Sequence, residues 1–305
     1  MPPHWDIDHL CYRVETLDRY RTLKQELSVF AFMLTESSVN GRPIATYKLH
    51  RPIQFFSYRI DIVELPAPKL GKIVTEGFEH IEVVCDVPFA EIAGKYAHLN
   101  LDFSGLKKDF NQELEISLGE RNLKFHPLSL ESVVRLEGHS MVWNALTASK
   151  VLSDFKKFSP LVAGSIPLGL GLPDSDLDIL MCAESIDEVA AEFVARQNLL
   201  GPVTVTENCV GFCFQNVDFE IFVDKSPSIR QIAQLHFQIE ERLLKYLGEE
   251  FRRSVMDVRN LEGLKTEAAF AKVLGRSGDA FEALLDLQVA SHSDLVREFS
   301  VVSKF

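Results

Sequence analysis

Asp6-Ile-Asp-His-Leu-Cys-Tyr-Arg-Val14 and, further along, Phe78-Glu-His-Ile-Glu-Val-Val-Cys85 are the stretches on which the fold of this chain turns. Both alternate apolar and polar residues as a strand does. Both also carry acid-His-apolar at matching places, Asp8-His9-Leu10 and Glu79-His80-Ile81. The first is followed by Leu17, Tyr20, Leu23, Leu27 and Phe30 at helical spacing, which predicts a helix over 17–30. Strands are expected over 32–39, over 44–49 beyond an Asn40-Gly41 turn, and over 58–65 up to Pro66-Ala67-Pro68. The same order returns after the second stretch, with a helix over 89–99 and strands over 101–106, 113–118 and 123–128. The first half therefore reads as two βαβββ units with a histidine on the first strand of each.

At 305 residues, 46% hydrophobic and 25% charged, the chain has the size and composition of two globular domains. No apolar run approaches the ~20 residues that span a bilayer. The opening Met-Pro-Pro-His-Trp-Asp lacks the basic-then-apolar pattern of a signal peptide. Its five cysteines form no paired Cys-x-x-Cys knuckles, and Cys209 and Cys213 read as reduced cysteines at a core. A cytoplasmic location is expected. The net charge of −12 disfavours nonspecific nucleic-acid binding.

Asn40-Gly-Arg-Pro-Ile-Ala-Thr46, Val63-Glu-Leu-Pro-Ala-Pro68 and Lys124-Phe-His126 complete the pattern. With the repeat, residues 4–137 resemble the YecM branch of the vicinal-oxygen-chelate superfamily, which includes glyoxalase- and dioxygenase-type enzymes. The resemblance implies a cupped sheet whose metal ligands come from the first and last strand of each unit. Those positions are His9 and Glu64 in the first unit and His80 and His126 in the second, with Glu115 or Glu113 as substitutes for His126. Superfamily members more often end in Glu there. Imidazole and carboxylate together suit Zn²⁺, Ni²⁺, Fe²⁺ or Mn²⁺, and an open coordination position permits catalysis. A lone histidine would read as a core residue; two on equivalent strands, with Glu64, read as ligands. Arg42, Arg51 and Arg59 read as surface arginines, with contacts to an anionic substrate inside the cup as the alternative. The resemblance also allows a homodimer.

The domain boundary falls near Gly138, giving domains 1–138 and 139–305. Beyond it, a helix is expected over 143–158. Leu161-Val-Ala-Gly-Ser165 reads as a strand entering a tight turn, and Asp174-Ser-Asp-Leu-Asp-Ile-Leu-Met181 as the next strand. Asp176 and Asp178 are two apart, so a strand projects both from one face. Paired carboxylates repel unless a cation lies between them, and Mg²⁺ takes such oxygens together with phosphate oxygens. A Gly-Ser turn brings backbone N–H groups to a phosphate. Val217-Asp-Phe-Glu-Ile-Phe-Val223 supplies a further acid, Glu220 or alternatively Asp218.

That arrangement resembles the polymerase-β-type nucleotidyltransferase superfamily. Ile166-Pro167, Ser175-Asp-Leu-Asp178, Phe219-Glu-Ile-Phe222 and Leu264-Lys-Thr-Glu267 resemble one uncharacterised branch of it, over 145–290. The resemblance implies Asp176 and Asp178 as metal carboxylates, Glu220 as the third catalytic acid, and Gly164 and Ser165 as holders of a nucleoside triphosphate. Members usually carry a basic residue soon after Gly-Ser; none occurs here before Asp174, and Lys265 is the candidate replacement. A long helix is expected over 228–253, with His236 and Glu240 one turn apart and able to hydrogen-bond. Thr266 is expected to cap the next helix, a last helix covers 279–289, and a mobile tail follows over 299–305.

The whole is an α+β protein: a cupped sheet of paired βαβββ units, then a nucleotidyltransferase-like mixed sheet with a helical tail. The expected function is that of a two-domain enzyme acting on small molecules, with a transition metal in the first domain and Mg²⁺ and a nucleoside triphosphate in the second. A non-catalytic ligand-binding or sensor protein retaining both folds is the alternative.

Overall fold

The computed structural model describes residues 5–39, 41–56, 58–72 and 74–299. Asn40 of the expected turn and the tail beyond Phe299 lie outside the described residues. The chain divides into two compact units, Trp5–Cys85 with Phe89–Val134, and Asp86–Pro88 with the chain from Arg135 onward.

The first unit runs β1 (Asp6–Arg13), α1 (Leu17–Leu27), β2 (Ala31–Val39), β3 (Arg42–Phe55), β4 (Tyr58–Pro66), β5 (Gly77–Val84), α2 (Phe89–Lys95), β6 (Asn100–Asp102), β7 (Leu114–Leu118) and β8 (Arg121–His126). Its eight strands form one sheet in the order β2-β3-β4-β1-β5-β8-β7-β6. Within each βαβββ repeat the last strand returns parallel to the first, β4 beside β1 and β8 beside β5. The two repeats join where β1 and β5 pair antiparallel. First strands therefore lie at the centre, flanked by last strands, and four strands from two repeats share one concave surface.

Local chemistry explains the elements. Thr16 caps α1 by accepting from Arg19 N at 3.1 Å. The helix buries Tyr20 among Val14, Ala31, Ala45, Tyr47 and Leu65. The strand expected over 101–106 ends at Asp102, because its carboxylate accepts Ser104 N at 2.7 Å and turns the chain into a 3₁₀ turn over Ser104–Lys107.

The second unit opens within α3 (Leu130–Gly138), where the division falls, and continues through α4 (Ser140–Ser149), α5 (Val151–Asp154), β9 (Leu161–Val162), β10 (Leu177–Cys182), α6 (Ile186–Ala195), α7 (Gln197–Leu200), β11 (Val203–Val205), β12 (Cys209–Phe214), β13 (Val217–Asp224), α8 (Ile232–Glu262), α9 (Thr266–Val273), α10 (Glu282–Leu285) and α11 (His292–Phe299). Its sheet is β11-β12-β13-β10-β9, with β10 parallel to β13 and the other pairs antiparallel. The helix expected over 143–158 is divided at Lys150, which adopts φ 55°. The long helix is displaced to Ile232–Glu262 and is interrupted by Gly248 at φ 83°. The cap of α9 is Lys265, with Thr266 the first helical residue. Phe155, Phe193, Phe212 and Phe219 stack in sequence at centroid distances of 4.0, 5.4 and 4.7 Å, tying helix and sheet together. Among the described residues no helix is long and apolar enough to cross a membrane.

Candidate functional site

Two separate groups of ligating side chains stand out, one in each unit. The first lies on the central strands of the cupped sheet. Cys11 pairs with Glu64 on one side and with His80 on the other, and His9 pairs with Glu82, so these residues occupy alternate rungs of the ladders that β1 makes with β4 and β5. Donor atoms of His9, Glu64 and His80 come within 4.8 Å of one another, as do those of Asp8, His9 and His126. The structure thus brings His9, Glu64, His80 and His126 to one place, in two overlapping groups that share His9. Glu115, on β7, belongs to neither group. Glu113 lies just before β7 and pairs with Lys108 at 2.8 Å and Lys124 at 3.6 Å.

Both acid-His pairs sit at irregularities of the β1–β5 ladder. Ile7 pairs with Val83 and His9 with Glu82, leaving Asp8 as the extra residue; Cys11 pairs with His80 and Tyr12 with Phe78, leaving Glu79 as the extra residue. A bulge sets two consecutive side chains against one partner and re-aims them. Each acid is thereby held beside the Nδ1 of the histidine that follows it, at 2.7 Å for Asp8–His9 and 3.6 Å for Glu79–His80. Asp8 is itself fixed by the backbone N–H of Leu130 at 2.9 Å. His126 Nδ1 contacts the carbonyl of Leu128. At His9 and His126 these partners at Nδ1 leave Nε2 as the atom able to ligate, the usual support of a metal-binding imidazole.

Glu82 is the residue that the sequence reading missed. Its Oε1 is 3.0 Å from His80 Nε2 and 3.6 Å from His9 Nε2, and its Oε2 is 3.2 Å from His126 Nε2. Burial opposes its charge, yet His9, His126 and His80 together hold its carboxyl well below the usual range. Burial likewise works against the charged form of His9, but Glu82, Asp8 and Glu64 push it up to about 9. Three imidazoles thus converge beside the carboxylates of Glu82, Asp8 and Glu64, a donor set that fits a divalent transition metal. The signal was available: His80 and Glu82 stand two apart on a strand and share a face.

The second group lies at the amino end of β10, with Asp176 just before the strand and Asp178 its second residue. Asp178 and Glu220 are register partners on parallel strands β10 and β13. With Asp176 their oxygens come within 4.8 Å of one another. Asp218 is exposed at the start of β13, paired across to Cys213, and outside this group. Burial, Asp176, Glu220 and Glu267 push the Asp178 carboxyl up to about 7, with Lys265 opposing. Burial and then Asp176 also raise Glu220. Negative charge held together at this strength fits a cation of the Mg²⁺ type.

These acids line a cavity of about 480 Å³ together with Gly164, Ser165 and Lys265. Lys265, far away in sequence, therefore faces the same space as the Gly-Ser turn. Gly164 adopts φ +78°, and a Cβ there would overlap Asp178 Oδ2. Gly164→Ala is expected to displace Asp178 and weaken cation binding by roughly 10-fold or more, because both the backbone strain and the overlap fall on a ligand; calorimetric Mg²⁺ titration checks this. The 166–173 loop lacks basic residues, but α8 supplies them from outside: Arg252 donates to Leu168 O and Arg259 to Leu170 O. His236 and Glu240 are buried at the cavity wall, and neither His236 nitrogen has a hydrogen-bond partner, so the expected bond between them does not form. His236 instead packs edge-on against Phe281 at 5.4 Å.

The fold and the two sites define one unit of paired βαβββ repeats with a histidine-carboxylate group and a second unit with a mixed sheet and a carboxylate group. Residues 2–137 match the family described as YecM protein, and residues 144–287 the one described as Domain of unknown function (DUF4269). Protein YecM of Escherichia coli (strain K12) is 30% identical over 148 residues, covering 43% of this chain and 77% of that protein. An uncharacterized protein of Haemophilus influenzae (strain ATCC 51907 / DSM 11121 / KW20 / Rd) is 40% identical over 86 residues, covering 28% of this chain and 44% of that protein. Through its first half, the chain belongs to the YecM family. Among solved structures, the GLD-2/RNP-8 complex aligns with 14% identity and a TM-score of 0.36, over 48% of this chain and 59% of that chain.

Proposed function

We propose that the second unit is a Mg²⁺-dependent nucleotidyltransferase acting on a small-molecule acceptor. The observation that carries this reading is the convergence of Asp176, Asp178 and Glu220 at a Gly-Ser turn in one cavity that also holds Lys265. Asp176 and Asp178 would hold Mg²⁺, which when bound neutralises phosphate charge. Gly164 and Ser165 would receive phosphate oxygens on backbone N–H groups, and Lys265 would add a cation to the triphosphate. The acceptor hydroxyl attacks the α-phosphorus in line. The new O–P bond forms as the bond to the departing pyrophosphate breaks, and the hydroxyl proton passes to Glu220, whose raised affinity for protons suits a base. The test is Mg²⁺-dependent nucleotide binding, followed by pyrophosphate release with candidate acceptors, in wild type and Glu220→Gln. Binding without any release across a broad acceptor set would select the non-catalytic alternative; no binding would remove the reading.

A second reading applies to the first unit and is favoured by the histidine group. There His9, His80, His126 and Glu64 would hold Zn²⁺, Ni²⁺, Fe²⁺ or Mn²⁺, with Asp8 and Glu79 orienting the imidazoles. Such a centre, when occupied, polarises vicinal oxygens of a substrate. The retained metal of the purified protein identifies the ion.

A further inference from the structure

The first unit also has a small cavity of about 80 Å³ whose wall includes Arg13, Arg42, Lys69 and Lys72 and none of the histidines. Four cations around so small a space repel one another and call for an anion. Their compensation is incomplete. Arg13 pairs with Glu79, and Arg42 donates to the carbonyl of Ala67 at 2.9 Å. Among the described residues, Lys69 and Lys72 have no carboxylate partner. The strain registers on Lys69: burial, then Arg42, Arg13, Lys72 and Lys124, all lower its affinity for a proton.

The backbone builds this arrangement. After β4, Pro66 and Pro68 restrict the chain along the cavity wall. Lys72 N then bonds Lys69 O at 3.1 Å across a tight turn with Gly71 at φ +75°. A turn closed in this way with positive φ at its third residue is of type II, and it holds its first and fourth residues close together. Lys69 and Lys72 are those two residues. Arg42 is anchored on the other side by Ala67 O, so its position is fixed before any ligand arrives.

We propose that Arg13, Arg42, Lys69 and Lys72 form a binding site for the phosphoryl group of a small phosphorylated ligand. Three positive charges remain after Glu79 is set against Arg13, which a dianion offsets better than a carboxylate does. The size of the cavity suits a single tetrahedral oxyanion. Arginine gives planar paired donors and lysine point charges, the combination used for phosphate. The site needs neither the metal of the first unit nor the nucleotide cavity of the second.

The test is titration of the full-length chain with inorganic phosphate and with a small phosphomonoester, at constant ionic strength and with chelator present, using acetate as the comparison anion. Binding is read by calorimetry and by thermal stabilisation. Wild type is expected to bind phosphate saturably and about 10-fold more tightly than acetate. Lys69→Ala/Lys72→Ala, at two exposed positions, is expected to weaken phosphate binding about 10-fold or more, Lys69→Arg/Lys72→Arg to retain it, and Lys265→Ala to leave it unchanged. A phosphomonoester that binds more tightly than free phosphate supports a phosphorylated small molecule as the ligand. Equal affinities for acetate and phosphate, equal phosphate affinities in wild type and the double alanine variant, or loss in Lys265→Ala alone would each overturn the proposal.

Discussion

Asp178→Asn is expected to make the metal-free protein more stable above neutral pH while lowering nucleotidyl transfer by about 1000-fold or more. The two effects share one cause. Burial and the charges of Asp176, Glu220 and Glu267 move the Asp178 carboxyl from 3.8 to about 7. A carboxyl raised on folding binds more protons in the folded than in the unfolded chain between those values. Its contribution is full below the unfolded value, declines as pH rises through the window, and is lost above about 7. The displacement corresponds to roughly 4 kcal/mol at most. Asparagine removes the titration, so the stability of the variant should fall less than that of wild type between pH 4 and pH 8. Mg²⁺ should restore wild type at pH 8 and do little for the variant. Denaturant unfolding across this range, with and without Mg²⁺, measures the difference directly. A wild-type profile parallel to that of Asp178→Asn would mean that Asp178 is not held under repulsion and would remove the physical argument for a cation there.

His9→Ala is the variant expected to affect the first unit most. His9 belongs to two of the three groups of ligating atoms in this unit, so its loss leaves each of those two with two members. Transition-metal affinity should fall roughly 100-fold or more, beyond what losing an orienting partner costs. Asp8→Asn, which alters the carboxylate beside His9 Nδ1 and 3.4 Å from His126 Nε2, should cost about 10-fold. The pH dependence has a definite sign. In the metal-free protein the proton affinity of His9 is pushed up to about 9 by Glu82, Asp8 and Glu64 against the effect of burial. Metal must displace that proton, so affinity should rise with pH up to about 9. Competition titrations with a chromophoric chelator at several pH values test both points. Unchanged affinity in His9→Ala would exclude this centre.

The amino-acid sequence by itself determined the α+β class, the doubled βαβββ order and the placing of histidines on equivalent strands. It also determined that Asp176 and Asp178 stand near a Gly-Ser turn. These are local properties: the period of side-chain alternation, turn residues and short spacings are set within a few residues, and two copies of one pattern reinforce each other. Tertiary structure decided what alternation alone leaves open. Alternation fixes which residues share a face, but a bulge resets that face, and only the β1–β5 pairing shows that Asp8 and Glu79 are the extra residues. Strand register, set by burial over the whole sheet, chose Glu220 over Asp218 by placing Glu220 opposite Asp178. It also put Glu82 among three imidazoles. Glycine at position 248 and the left-handed Lys150 interrupted helices whose apolar stripes continue past them. The bases around the acids, Lys265 and Arg259, and the cluster around Lys69 come from distant segments. Charge acts through space and sums over every neighbour, so its balance at a site exists only once the chain has folded.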